Sequence, residues 1–485
     1  MLDTEQMLKE IVGPEKVSSN PAILEAYRFV AMGQDMPVST RPDIVVMPSN
    51  EEQVSRILSL ANRIGLPVVT RGQGTGFQGE NVPLQGGIMM DLSLMNRLLE
   101  IDEDNMVVIA ETACTMNLLN YELDKRGLAF PIRPWFTPNM HIGAYIINNG
   151  TGDFGAAHGR AGDHVRGLEV VLPTGEIMKV GSWAYPHGYG ACSRYTGGPD
   201  LIGLFLNSGG VHGVVTKVAL RVINKRRHMW YRTFAWPRNK LADLSQAIYR
   251  CQRNGISSFH LQNYWSSQGI IAAGLAPWPA HSLGLSDKDI IIANLIQVSE
   301  NKEILELLAK DTTTICLKNG GTDLGPELCQ VSQGPPYYAI NLSNHYRFRP
   351  RTTPPFEGMN WVYFYHCTPT LKFPEYWDYF ESVVDKYGFH DGRRGAGMLV
   401  FPLDAAMLNP YPTFRYRPEV PDEVLRMRKA YAEMQEGLAR MGVLAYTFGA
   451  FLPKDFMANL GPSYNLMKSI KRLVDPNNIL NPSQL

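Results

Sequence analysis

Two glycine clusters carry the residues best suited to chemistry. The first is RGQGTGFQG, residues 71–79, where Gly74, Gly76 and Gly79 stand in G-x-G-x-x-G spacing just after Arg71 and Gln73. The second is HIGAYIINNGTGDFGAAHGRAGDHV, residues 141–165, which interleaves glycines with His141, Asp153, His158, Asp163 and His164. Glycine accepts positive φ and has no Cβ, so successive backbone N–H groups can converge on an anion such as a phosphate. The chain contains no H-E-x-x-H, G-x-S-x-G or G-x-x-x-x-G-K-[ST], so zincin, α/β-hydrolase and P-loop chemistries lack their first requirement.

The flanking elements decide what the first loop is. PSNEEQVSRILSLANRIG opens with the capping residues Ser49 and Asn50 and spaces Val54, Ile57, Leu58, Ala61 and Ile64 for one helix face before Gly65. LPVVT then reads as a short buried strand, and after the loop IMMDL reads as another. A Rossmann fingerprint needs its third glycine to open a helix, but Pro83, Gly86 and Gly87 forbid one here. The expectation is a glycine loop between two strands, holding an anion by backbone amides alone.

Further on the spacing predicts a helix over 116–126 stopped by Gly127, then the second glycine loop. LEVVL and EIMKVG form a hairpin across PTG, and GGVHGVVTKVALRVI supplies an alternating strand ending near 225. From about 226 to 450 helices such as RNKLADLSQAIYRCQRNG and EVLRMRKAYAEMQEGLARMG alternate with strands such as IIIANLIQV and WVYFYHC. That region is rich in aromatic residues, which suits either a cavity wall or an ordinary core. A last helix is expected over 463–473.

Composition narrows the partners. Lys plus Arg and Asp plus Glu both number 46, so no overall field of one sign recruits nucleic acid or an anionic surface, and a small-molecule partner is expected. MLDTEQMLKE has acids where a signal peptide has basic residues and an apolar run, and no stretch is apolar for long enough to span a membrane, so the expected location is the cytoplasm. The six cysteines are widely spaced without C-x-x-C, which favours reduced core thiols, and no metal site is expected.

Taken together, RPDIVVMPSNEEQV, RGQGTGFQG, IGAYIINNGTG, GDHVRGLEVVLPTGE, GLFLNSGGVHGVVTKVALRV and VDPNNILNP resemble the vanillyl-alcohol oxidase and 4-cresol methylhydroxylase family of FAD-binding, PCMH-type oxidoreductases. The resemblance covers about residues 40–225 and the last thirty, and its specificity lies in the order of the motifs. It implies an α+β fold: a discontinuous, two-part FAD-binding domain with an inserted α/β cap that holds the substrate. The implied boundaries are 1–225 for the FAD domain, 226–455 for the cap and 456–485 for a return to the FAD domain. By the same resemblance Arg71, Gly72, Gln73, Gly74, Thr75, Gly76 and Gln78 surround the pyrophosphate. Pro138, Asn139, Met140, Ile142, Gly143, Asn148, Asn149 and Gly152 line flavin and ribose. Gly162, Asp163 and His164 pack beside the cofactor, Val215 faces the adenine, and Asn481 of the tail joins the cofactor site.

The first loop has no histidine for a covalent flavin bond, and Leu408 and Asn409 fall where vanillyl-alcohol oxidase has its linking histidine, so FAD is expected to be non-covalent; Tyr411 keeps a tyrosyl link open as an alternative. Relatives that oxidise phenols hold the phenolate with two tyrosines and an arginine. Here those places fall on Phe77, Tyr446 and Thr447, and the family's acid beside flavin N5 falls on Asn139. Tyr446, His141 and Asn139 are therefore the catalytic candidates. Phe77, Thr447, Arg393 and Arg394 are the substrate-pocket candidates, with Arg347, Arg349 and Arg351 as weaker carboxylate ligands. The implied reaction takes hydride from a small aromatic or hydroxylated substrate to flavin N5, with reoxidation by O2 or by a protein or quinone carrier. Two alternatives remain. One is a D-2-hydroxy-acid dehydrogenase, although the G-E-H-G motif of that branch is missing because no histidine follows His390. The other is a flavin-binding electron-transfer subunit. A homodimer is compatible with either reading.

Overall fold

The structure is a computed structural model that describes residues 2–28, 40–76, 79–134, 139–263, 290–326, 360–363, 366–389, 396–446, 457–482 and 484–485. Its first sheet is small and mostly parallel. Ile44–Val46 and Val68–Arg71 flank Ile88–Asp91, with Ile44 and Val68 both opposite Ile88, and Val17–Ser18 adds an antiparallel edge. The three parallel strands are near-continuous apolar runs, as strands covered on both faces are. Glu51–Ile64 supplies one cover. Its Asn50 cap accepts from the Gln53 N–H at 2.9 Å, Gly65 leaves it at φ 66°, and Val54, Ile57, Leu58 and Ala61 are buried against Val68 and Ile88.

The second sheet is antiparallel, in the order Leu98–Asp102, Val107–Glu111, Val214–Arg221, Val165–Val171 and Ile177–Gly181. The expected hairpin is its last pair, and the expected 116–126 helix is Met116–Asp124. One stretch differs from the sequence reading. Within the second glycine loop, Ile142–Ile147 coils into a short helix, because Ile142, Tyr145 and Ile146 recur at helical spacing and are buried.

The region after 226 builds a nine-stranded sheet. Its outer face is covered by the helices Leu241–Arg253, Phe373–Tyr387 and Pro421–Arg440, and most of the aromatic side chains among the described residues there, Trp236, Phe373, Tyr376, Trp377 and Phe380 included, lie in that core. Among the described residues the aromatic richness is therefore mainly packing. WVYFYHC is two strands, Asn360–Tyr363 and His366–Pro369, which pair with the same partner strand, Met407–Tyr416, near its two ends.

The chain end returns to the first sheet. After the helix Pro462–Val474, Leu480 bridges to Val68, and Ile479 and Leu480 enter the core beneath Glu51–Ile64. The buried Lys471 ammonium fixes this return by donating to Val211 O (2.9 Å), Leu480 O (2.6 Å) and the Asp475 carboxylate.

Candidate active site

The strand Val68–Arg71 ends at its carboxyl end in the first glycine loop, a place where α/β sheets commonly receive ligands. The loop floors a cleft between the first sheet, the second sheet and the uncovered face of the nine-stranded sheet. The cleft encloses about 1380 Å³ of non-atom space, its open mouth included. Gly72, Gln73, Gly74, Thr75 and Gly76 line one side, and Met140, His141, Asn148, Gly150 and Thr151 another. Phe401, Tyr411 and Tyr446 close it.

Close approach explains the glycines. At Gly74, φ is 67° and a Cβ would come 2.3 Å from the Arg71 guanidinium; at Gly72 it would come 3.1 Å from His141 Nδ1. Arg71 is held in place, since it donates to Tyr27 O at 3.1 Å and its guanidinium sits 5.3 Å from the centre of the Tyr27 ring. Burial lowers its pKa, opposed by the carboxylate of Asp91, so a permanent cation stands at the root of the loop.

Three buried polar atoms of residues lining the cleft have no partner among the described residues: Asn81 Oδ1, His141 Nδ1 and Asn481 Oδ1. Leaving such atoms unsatisfied costs about 1–3 kcal/mol each, so they imply a polar ligand. FAD fits this donor and acceptor set. Asn481 is fixed by donation to Gly209 O at 2.7 Å. His141 is fixed by Gln73, whose Nε2 lies 3.0 Å from His141 Nε2. With that amide donating, Nδ1 carries the imidazole proton into the cleft. Burial lowers the His141 pKa, only partly opposed by Asp91, and keeps the ring neutral.

The region after 226 meets the second glycine loop through side chains. Tyr446 OH donates to Asn149 O at 2.9 Å, and Thr151 Oγ1 is 3.2 Å from Tyr411 OH and 3.4 Å from Asn409 Oδ1. Burial pushes both phenol pKa values well above 10, so both hydroxyls stay protonated donors. Below them Asp153 is clamped between two partners. It accepts from Arg133 Nε (2.9 Å) and Nη2 (2.5 Å) through Oδ2 and from His260 Nε2 (2.9 Å) through Oδ1. Although burial opposes ionisation, Arg133 and His260 hold this carboxyl far below the ordinary range. The His260 ring meets Phe401 edge-on at 4.9 Å, so the clamp backs a wall of the cleft.

The sequence-derived candidates divide into three groups. Arg71, Gly72, Gln73, Gly74, Thr75, Gly76, Met140, His141, Asn148, Tyr446 and Asn481 line the cleft. Asn139 and Asp163 are exposed, and Ile142, Gly143, Asn149, Gly152, Gly162, His164 and Val215 lie behind the lining. They act as braces: Asn149 Oδ1 accepts from Gly162 N at 2.8 Å, Asp163 accepts from Arg160 N at 2.7 Å, and His164 packs on Phe130. Phe77, Gln78, Pro138, Thr447, Arg347, Arg349, Arg351, Arg393 and Arg394 lie outside the described residues. Sequence reasoning placed Thr151 within the Asn148 to Gly152 stretch beside the flavin but missed Phe401 and the Asp153–His260 pair. Asp153 had a signal, an acid inside a glycine cluster, whereas His260 sits in the strand Ser258–Asn263 with none.

Residues 42–181 match the FAD binding domain, and residues 228–485, more than half of the chain, match the C-terminal domain of FAD linked oxidases. Glycolate oxidase subunit GlcD of Bacillus subtilis is 32% identical over 224 residues, 46% of this chain and 45% of that protein, so the match spans less than half of that relative's length. D-lactate dehydrogenase of Archaeoglobus fulgidus is 26% identical over 479 residues, 95% of each chain. Among solved structures, p-cresol methylhydroxylase with substrate bound superposes with a TM-score of 0.84 at 18% identity, covering 100% of this chain and 96% of that one, a likeness of fold. The chain belongs to the FAD-linked oxidases, the FAD-binding oxidoreductases of PCMH-type fold.

Proposed function

We propose that this protein oxidises a hydroxyl-bearing carbon of a small substrate, with a 2-hydroxy acid as the leading class, on FAD held in the cleft. The observation that carries the reading is a cleft between an amide-lined glycine loop and a wall of three aromatic side chains. FAD, when bound, supplies the hydride acceptor. Amides of 72–76, backed by the fixed Arg71 cation, hold the diphosphate without a covalent link to the chain. His141 Nδ1 donates to the cofactor and Asn481 Oδ1 accepts from it. Tyr411, kept protonated, orients the substrate oxygen, Tyr446, whose proton goes to Asn149 O, offers its oxygen as an acceptor to a substrate hydroxyl, and Phe401 excludes water. The near full-length likeness to a protein named D-lactate dehydrogenase supports the hydroxy-acid class. The aromatic wall favours a second reading, an alkyl-phenol substrate.

Anaerobic mixing of the flavin-loaded protein with D-lactate, glycolate and p-cresol separates the two. Bleaching of the visible flavin band by a hydroxy acid is the expected result. Bleaching by p-cresol alone selects the second reading. If none of these reduces the flavin, the protein is better read as a flavin-binding electron-transfer subunit. A second mixing of the reduced protein with O2 or with a quinone then identifies the acceptor.

A further inference from the structure

We propose, on the reading that this protein oxidises a hydroxyl-bearing carbon, that Glu80 is the general base of the cleft and takes the hydroxyl proton of the substrate. Such an oxidation breaks two bonds. The electron pair of the C–H bond leaves as hydride to the flavin, the O–H proton passes to a base, and the carbon and oxygen left behind form a carbonyl. Among the described residues that line the cleft, one side chain can accept that proton. Burial keeps Tyr411 and Tyr446 protonated, and Tyr145 donates its proton to Thr151 O at 2.9 Å. The His141 ring carries its proton on Nδ1 because Gln73 occupies Nε2, and burial opposes a second proton. Arg71 is already a cation. Glu80 is the only carboxylic acid among the described lining residues.

Local structure holds the carboxylate in place. Its side chain folds back over the end of the glycine loop, so that a Cβ at Gly76 would come 2.4 Å from Glu80 Oε2. Glycine at 76 is what leaves room for it. The backbone of Glu80 is fixed from behind, where Gln484 Nε2 donates to Glu80 O at 2.6 Å, and just after it Val82 and Leu84 pack into the core of the nine-stranded region. The Glu80 charge also reaches Tyr431 of the helix Pro421–Arg440, where it adds to burial in holding that phenol protonated. Glu80 therefore stands on the cleft wall at the seam between the glycine loop and the nine-stranded region. It is half-buried, which gives a captured proton a route to water.

The test compares the flavin-loaded wild type with Glu80→Gln, which keeps the shape and removes the proton acceptor. On anaerobic mixing with saturating D-lactate or glycolate, E80Q should bleach the flavin at least about a hundredfold more slowly, and Glu80→Asp should recover part of the rate. In wild type the bleaching rate should fall as acid protonates the carboxylate, and E80Q should lack that acid limb. Two measurements need no substrate. Flavin affinity and melting temperature of E80Q should stay at the wild-type values, and the shift of the resting flavin band on acidification, present in wild type, should be absent from E80Q. A wild-type bleaching rate in E80Q would overturn the proposal. So would a slowed rate that keeps its acid limb, or one that lost flavin accounts for. If neither hydroxy acid bleaches the wild type, the hydroxyl-oxidising reading falls and the role of Glu80 with it, whereas equal bleaching of wild type and E80Q removes the role of Glu80 alone.

Discussion

His141 and Tyr446 both face the cleft, yet their hydrogen bonds assign them different duties. The His141 imidazole is buried, neutral and fixed at Nε2 by Gln73, which leaves Nδ1 as a donor close to Gly72 rather than a free base. His141→Ala should therefore weaken FAD binding by about tenfold, the worth of one to two kcal/mol, and His141→Gln should restore part of it, both read from a flavin titration of the apoprotein. An unchanged affinity together with a collapse in turnover would make His141 the base instead. Tyr446 donates to the carbonyl of Asn149, a residue at φ 48°. Tyr446→Phe leaves that carbonyl without its partner and should cost about 1–3 kcal/mol, measured by denaturant unfolding of the holoprotein. Its raised pKa adds a kinetic expectation, since no alkaline limb in turnover should arise from this hydroxyl between pH 7 and 9.

Among the elements, the loop 149–155 joins both parts of the molecule to the cleft. The backbones of Arg133 and Asp153 bond each other at 3.1 and 2.8 Å, and a Cβ on Gly152 would come 2.1 Å from the Arg133 carbonyl oxygen. Backbone cannot yield as a flexible side chain can, so Gly152→Ala should cost about 3 kcal/mol and lower the melting temperature of the apoprotein and holoprotein alike. Asp153→Asn attacks the same joint by charge. It leaves Arg133 and the buried His260 without their carboxylate, and breaking such a pair costs about 3–5 kcal/mol. Because His260 backs Phe401, D153N should also raise KM more than it lowers kcat. A variant that loses stability with KM unchanged would confine the pair to a structural role.

For the whole molecule, buried neutral histidines set the response to acid. His158, His164 and His366 have pKa values lowered to about 4, with burial the largest cause in each. The unfolded chain takes up these protons near pH 6.5, whereas the folded chain resists until about 4, so the unfolded state binds more protons in that window. Stability should fall as pH drops from 6.5 toward 4, and unfolding at pH 7.5, 6 and 5 should show it. Replacing His366, whose two ring nitrogens are held by Tyr376 and Gln435, with Gln should flatten that slope. Bound cofactor acts on the same equilibrium. FAD at a hundred times its Kd should add about 2.7 kcal/mol to the apoprotein, and a titration that leaves the melting temperature unmoved would contradict the cleft as the cofactor site.

The amino-acid sequence alone determined the local pieces and the family. The capped helix Glu51–Ile64, the glycine loop without a following helix and the hairpin after G-D-H-V all follow from short-range spacing, which records backbone chemistry directly, whereas the returning tail came only from the family resemblance. The first glycine loop was legible as a loop between two strands for that reason. Only the tertiary structure decided which residues share a surface. His260 and Asp153 lie 107 positions apart, and Tyr446 and Asn149 lie 297 apart; nothing in either neighbourhood encodes their meeting. Equally, the resemblance packs Gly162, Asp163 and His164 beside the cofactor, yet none of the three lines the cleft: Gly162 and His164 are buried and Asp163 is exposed. Periodicity fixes which face of an element is apolar, but what that face meets depends on how sheets far apart in the chain are laid together.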